Sequence, residues 1–239
     1  MSRQPPNIEE PTTDDPSYEQ SKQWCFGEST DEQTFLGCSA LIAAGRESTH
    51  DMAAAWHNRG TSYSRRNQFD LAIHDFDEAI RLRPDFANAL HNRGDAYHRM
   101  GDLDRALDDY KQAIKCKPDA VFSWRGLGRI YYERERTDLA IHAYDRALEL
   151  DPTYAQALVD RGVAYFDAGQ YDLSIQDHDR ALELTPDDPE ILLNRGNAYF
   201  GLHRYDRAIE DYDRAIALRP DYEKAIANRA IVVKFISRK

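Results

Sequence analysis

A chain of 239 residues with 31 Lys and Arg against 42 Asp and Glu, a formal charge of −11, is too acidic for nucleic acid or an anionic membrane to be its expected partner. No run approaches the roughly 18 apolar residues of a membrane span, so no span is expected either. Residues 1–23 hold four prolines among acidic and polar residues, without a basic start or an apolar stretch. They read as a disordered acidic, Pro-rich tail and not as a signal peptide, which makes the chain cytoplasmic as written.

Residues 24–52 carry two of the three cysteines, Cys25 and Cys38, with a short helical pattern through Phe35, Leu41 and Ile42 and a stop at Gly45. This reads as a helical half-repeat cap. From residue 53 the chain is a tandem array, because Pro84, Pro118, Pro152, Pro186 and Pro220 stand 34 residues apart without a slip. The units are 53–86, 87–120, 121–154, 155–188 and 189–222. In each, a large apolar residue, a small one and a tyrosine recur at i, i+4, i+7, as Leu90, Gly94 and Tyr97 do, one face of a helix. Ala106, Tyr110 and Ala113 mark one face of a second helix. Glycine and alanine let the two axes approach, and proline ends the second helix. Asp85, Asp119, Thr153, Asp187 and Asp221 follow as expected caps. Gly101 and Gly169 suit a left-handed turn between paired helices, Asn67 suits it at small cost, and Glu135 and His203 suit it less. Cys116 occupies the offset of Leu82, Leu150, Leu184 and Leu218, expected to be core. Residues 223–239 form an expected C-terminal capping helix.

Those positions resemble the tetratricopeptide repeat (TPR) family across residues 53–222. The resemblance implies an all-α, right-handed TPR solenoid of antiparallel helix pairs. The head is similar to that of some bacterial TPR proteins, in which a cysteine pair flanks a half-repeat. By that likeness Cys25 and Cys38 could form a disulfide, placing the chain in the periplasm; two small buried apolar groups are the alternative.

Catalytic chemistry finds no footing. There is no phosphate-cradling glycine loop, no His-Glu-x-x-His and no glycine-flanked serine, so neither an enzyme nor a cofactor is expected. His57 and His91 hold equivalent positions in adjacent repeats, roughly 10 Å apart by helix-pair spacing, too far to share a metal, and no metal site is expected. His178 replaces the aromatic of a second helix and is expected in the core.

What remains is surface. In the family, residues one, five, eight and nine past the large apolar position line a concave groove. Carried onto this chain, they include His57, Arg65, His91, His98, Arg99, Arg125, Arg129 and Tyr132, then Val163, Phe166, Asn197 and Phe200. The first set is cationic and imidazole-rich and the second apolar, which implies a scaffold gripping an extended, acidic peptide or protein segment. The third repeat departs most from the plan and presents Arg125, Arg129 and Tyr132 together. A different class stays open, a self-assembling structural protein joined as a homo-oligomer through Ile231, Phe235 and Ile236 of the last helix. Finally, Arg59, Arg93, Arg161 and Arg195 precede Asp75, Asp109, Asp177 and Asp211 by 16 residues. The third repeat has Leu127 and Ala143 instead, so the two side chains are expected to meet within each pair.

Overall fold

The computed structural model describes residues 17–237. Among them the secondary structure is entirely helical: α1 (Tyr18–Phe26), α2 (Asp31–Ala44), α3 (Thr49–Arg65), α4 (Phe69–Leu82), α5 (Ala87–Arg99), α6 (Leu103–Cys116), α7 (Val121–Glu133), α8 (Thr137–Leu150), α9 (Ala155–Asp167), α10 (Tyr171–Leu184), α11 (Pro189–Gly201), α12 (Tyr205–Leu218) and α13 (Glu223–Ile236). They fall into two compact units, residues 1–102 and 103–239. In the first, each helix from α1 to α5 packs on its successor; in the second, the same succession runs from α6 to α13. Odd-numbered neighbours also touch, α3 with α5 in the first unit and α7, α9, α11 and α13 in turn in the second. Each unit therefore has a wall built from first helices.

Pairing rests on a ring set against a missing side chain. A Cβ added to Gly128 or Gly196 would stand 2.5 or 2.7 Å from the ring of Tyr144 or Tyr212, so only a residue without one lets the axes approach this closely. Alanines on either side of the ring, Ala140 with Ala147 and Ala208 with Ala215, are fully buried. The turn between paired helices is the same in every repeat. Asn67, Gly101, Glu135, Gly169 and His203 all adopt positive φ, between 57° and 82°. The next residue then donates its backbone N–H to the tyrosine carbonyl one turn back, as Arg136 does to Tyr131 and Arg204 to Tyr199, both at 2.9 Å. Glu135 and His203 thus take the left-handed conformation despite their side chains. The closing bond and the packed pair offset a strain of about 1 kcal/mol at each.

Three expectations change. The post-proline residues do not cap. The N-cap positions lie one residue later, at Phe86, Ala120, Tyr154 and Tyr222, and make no side-chain cap bond. The carbonyls of Asp85, Asp119 and Asp221 instead accept the N–H two residues on, at 2.8 to 2.9 Å, and Phe86 is spent on packing. Asp188, preceding Pro189, is the exception and accepts from the N–H of Glu190 at 2.8 Å. Cys116 is exposed, as are Leu150, Leu184 and Leu218. That offset falls on the last turn of the second helix, and only Leu82 of the first repeat is half-buried there, against Ala53, Ala79, Phe86 and Ala89.

The third change is at the N-terminal end. Residues 1–16 of the expected tail lie outside the described residues, but 18–23 belong to α1, capped by Ser17, whose Oγ accepts from the N–H of Gln20 at 3.2 Å. The expected half-repeat is therefore a helix pair, α1 with α2. The second helix opens on a reciprocal cap: Gln33 N–H donates to Thr30 Oγ1 at 3.2 Å and Thr30 N–H to Gln33 Oε1 at 3.0 Å. Cys25 and Cys38 are disulfide-bonded, their Cα atoms 4.7 Å apart, in a small core with Leu41 and Ala55. Asn58 Nδ2 donates to the Cys25 carbonyl at 2.9 Å, tying the bonded segment to α3. Replacing both cysteines by Ala is expected to lower the stability of this unit by about 2 kcal/mol, the low end for so short a loop. Urea unfolding followed at Trp24 and Trp56 measures it, and superimposable curves for the oxidised and cysteine-free chains would show the bond to be idle.

Candidate functional site

A ladder of ion pairs fixes the rotation of each first helix and so decides which residues reach the wall. Arg59 places Nε and Nη2 at 2.7 and 2.8 Å from the two oxygens of Asp75. Arg161 does the same to Asp177 at 2.7 and 2.6 Å, and Arg195 to Asp211 at 2.8 and 2.6 Å. Sequence reasoning missed a second partner. From the second repeat on, a guanidinium also reaches back 16 residues to the preceding second helix: Arg93 to Asp77 at 2.6 Å, Arg161 to Asp145 at 2.6 Å, Arg195 to Asp179 at 2.7 Å, and Arg229 to Asp213. The signal was an Asp-x-Asp on the second helices. The third repeat breaks both rungs, because Lys111 stands at the backward position of Leu127 and Ala143 at the forward one. Lys111 then takes the arginine's other role, lying 6.0 Å from the centre of the Tyr131 ring as Arg161 and Arg195 lie 5.6 and 5.9 Å from Tyr165 and Tyr199.

In the first unit the wall is internally satisfied. His57 Nδ1 lies 3.0 Å from Asn58 Oδ1, and Asn92 Nδ2 lies 2.9 Å from His57 Nε2, so the ring donates at one nitrogen and accepts at the other and is neutral. Burial pushes the His57 and His91 imidazoles below the usual histidine range. Arg65 is paired with Asp31 at 3.3 Å, and His91 Nε2 lies 3.4 Å from Asp95. His98 is half-buried and Arg99 is exposed on the last turn of α5. Of the residues expected to make this end cationic, Arg65 already holds a carboxylate, and burial holds the His57 and His91 rings below the usual histidine range.

The second unit divides in two. Arg125 donates to Asp160 at 2.7 Å, and Tyr132 to Asp167. Arg129 is half-buried beside them. The Arg125 pair opens on a cavity of about 260 Å³ whose rim also carries Asp188 and Glu190. Further along, Phe166, Asn197, Phe200, Tyr212, Asn228, Ile231 and Val232 enclose a mostly apolar cavity of about 270 Å³. Asn197 Oδ1 accepts from Tyr212 Oη and Asn228 Nδ2, both at 2.8 Å. Its amide nitrogen makes no hydrogen bond to protein among the described residues, and the residue lines the cavity. Val163, one repeat before Asn197, is half-buried on the same helix as Phe166. Phe200 packs edge-on against Phe235 at 6.4 Å.

Models of the tetratricopeptide repeat family match residues 57–121, 128–169 with 162–203, and 189–222. The chain belongs to the tetratricopeptide repeat family. No curated protein matches it. Among solved structures, YrrB, "a TPR protein with an unusual peptide-binding site", is 22% identical with a TM-score of 0.67, covering 81% of this chain and 97% of that one. MamA from Desulfovibrio magneticus RS-1 is 20% identical with a TM-score of 0.66, covering 73% and 99%. A chain of the APC/C hetero-tetramer Cut9-Hcn1 is 20% identical with a TM-score of 0.71, covering 87% of this chain but 40% of that one. At these identities the likeness is one of fold.

The TPR register also relocates the last helix. Counted from Ile226, Ile231 and Phe235 stand five and nine positions on, the offsets of groove residues, and both lie with Phe200. They extend the apolar wall beside Phe200, and both remain exposed. Ile236 is exposed at the end of α13. His178 sits fully buried, as its TPR position implied. Among the described residues no cluster of His, Cys, Asp and Glu could hold a metal, and no helix is long and apolar enough to cross a membrane.

Proposed function

We propose that this TPR protein is a non-catalytic scaffold that binds an extended peptide, seating one apolar side chain of it among Phe166, Phe200, Ile231 and Phe235. The observation that carries this is Asn197. With its carbonyl engaged twice, this cavity-lining residue keeps its amide donors for a backbone carbonyl of a bound segment. Apolar walls around a fixed polar group supply both burial and register. That YrrB, on the same fold, is described with a peptide-binding site supports the reading. Preference for an acidic peptide has weaker support, since Arg125 is already held by Asp160 and its cavity is rimmed with further carboxylates. Ile231 and Phe235 belong to this site in preference to a self-association surface. The Cys25–Cys38 bond favours an oxidising compartment such as the periplasm.

The test is panning of a random peptide library on the full chain, followed by binding measurements with the enriched peptide. Asn197→Asp keeps the acceptor for Tyr212 and Asn228 but removes the amide donor. It and Phe200→Ala are each expected to weaken binding at least tenfold, about 1.4 kcal/mol. The double change Arg125→Ala with Arg129→Ala is expected to alter it less than about threefold, within 0.7 kcal/mol. The reverse pattern would return the site to the basic residues and an acidic ligand, and a library from which nothing is enriched would refute peptide capture altogether.

A further inference from the structure

Rings recur one repeat apart on the wall of the second unit. Tyr132, Phe166 and Phe200 stand 34 residues apart on α7, α9 and α11, first helices that touch in turn, and all three are half-buried. Each ring is held from behind or beside. Phe166 packs against Tyr171 at 5.4 Å and Phe200 against Tyr205 at 5.9 Å, while Tyr132 Oη donates to Asp167, the neighbour of Phe166 on α9. Phe166 and Phe200 border the cavity that holds Asn197. Val163 holds the place of Asn197 one repeat earlier, so the equivalent seat there falls between Tyr132 and Phe166.

We propose that the peptide bound by this wall is a proline-rich segment of a partner protein in the polyproline II conformation, with every third side chain, apolar or proline, entering successive seats. This rests on the peptide-scaffold reading above and names its ligand. Spacing decides the conformation, because helices in contact lie roughly 8–10 Å apart and seats equivalent by the repeat are one such step apart. A polyproline II helix advances about 9.3 Å in its three-residue turn and brings the side chain back to the same side. In a strand, same-side residues are about 6.7 or 13 Å apart, and the residue three along points away. The chemistry of the first seat agrees. Among the described residues none that lines it is charged, and Asn197 Oδ1 is already engaged twice, at 2.8 Å, so that residue offers donors and no spare acceptor. A proline segment supplies uncharged apolar surface and backbone carbonyls, with no N–H at proline to leave unpaired. Its shape is also set before binding, which lowers the entropy lost on docking between aromatic rings.

The probes are fluorescein-labelled polyproline peptides carrying two leucines two, three or four positions apart, titrated with the full chain and read by anisotropy. The three-residue spacing is expected to bind at least tenfold tighter than the other two. Threonine in place of every proline removes the pre-formed helix and should weaken the three-spaced probe at least tenfold. Tyr132→Ala, which takes away one side of the second seat, should bring the three spacings within twofold of one another. Equal binding of the three spacings by the parent chain overturns the proposal. So does tighter binding of the threonine probes, because it gives the wall to a strand. If a peptide enriched from the random library binds in a manner that Phe200→Ala weakens while the polyproline probes do not bind, the polyproline ligand falls and the peptide scaffold stands. If neither kind of peptide binds, both fall.

Discussion

Asp75→Ala is expected to cost about 3 kcal/mol or more, well above the 0 to 1 kcal/mol of an exposed ion pair. Asp75 is 1% exposed and takes both bonds of the Arg59 fork. Removing it leaves a half-buried guanidinium against Trp56 and Tyr63 with no carboxylate to answer it. The chain carries its own control in the third repeat, where Leu127 and Ala143 fill the same two positions and both are buried. Arg59→Leu combined with Asp75→Ala should therefore recover most of the loss, ending within about 1 kcal/mol of the parent. Urea denaturation of parent, single and double variants measures the coupling. If the double variant is no more stable than the single, the pair is not the reason Asp75 matters and the covariation in the third repeat is accidental.

Much of this was legible in the sequence because a repeat writes the same physics five times. The spacing of Gly128 and Tyr144, or Gly196 and Tyr212, is a packing rule, and its recurrence identifies the helix pair without any structure. The forward rung of the ladder was legible for the same reason: one repeat that lost both members exposed the dependence. The backward rung was equally present, in Lys111 against Asp77, Asp145, Asp179 and Asp213. It was missed because it joins different repeats and so breaks the habit of reading one unit at a time. Other features escaped because they depend on what surrounds a residue. Counting placed Arg125 on the wall, but whether it is available depends on Asp160 35 residues on. The groove register, carried only as far as the fifth repeat, makes Ile231 a self-association residue, and its place beside Phe200 depends on packing between helices. Asn197 looked like one groove residue among many, and only the two donors on its oxygen single it out.

His178 is expected to make the second unit acid-sensitive in a window set by its own titration. Its ring fills the place of Tyr144 and Tyr212, fully buried, with Gly162 so close that a Cβ there would come within 2.8 Å. Nδ1 lies 3.3 Å from Ser174 Oγ, while Nε2 has no hydrogen-bond partner. Burial, helped by the charge of Arg195, lowers its pKa to about 4 from 6.5. Above 6.5 the ring is neutral in both folded and unfolded chains and pH has no leverage through it. As pH falls from 6.5 toward 4, the unfolded chain binds a proton that the folded chain excludes, so stability drops by about 1.4 kcal/mol per unit, about 3 kcal/mol in all. His178→Phe keeps the ring and removes the titration. At neutral pH it should be more stable than the parent by about 1 kcal/mol, because the orphaned nitrogen is gone. Between pH 6.5 and 4 the gap between the two should widen by about 3 kcal/mol, since the carboxylates and other histidines that also titrate there are common to both. Urea midpoints at pH 7.5, 5.5 and 4.5 read it directly. A gap that stays constant across them would mean that the buried ring either reaches solvent or finds an acceptor on protonation, and that the aromatic position tolerates a charge.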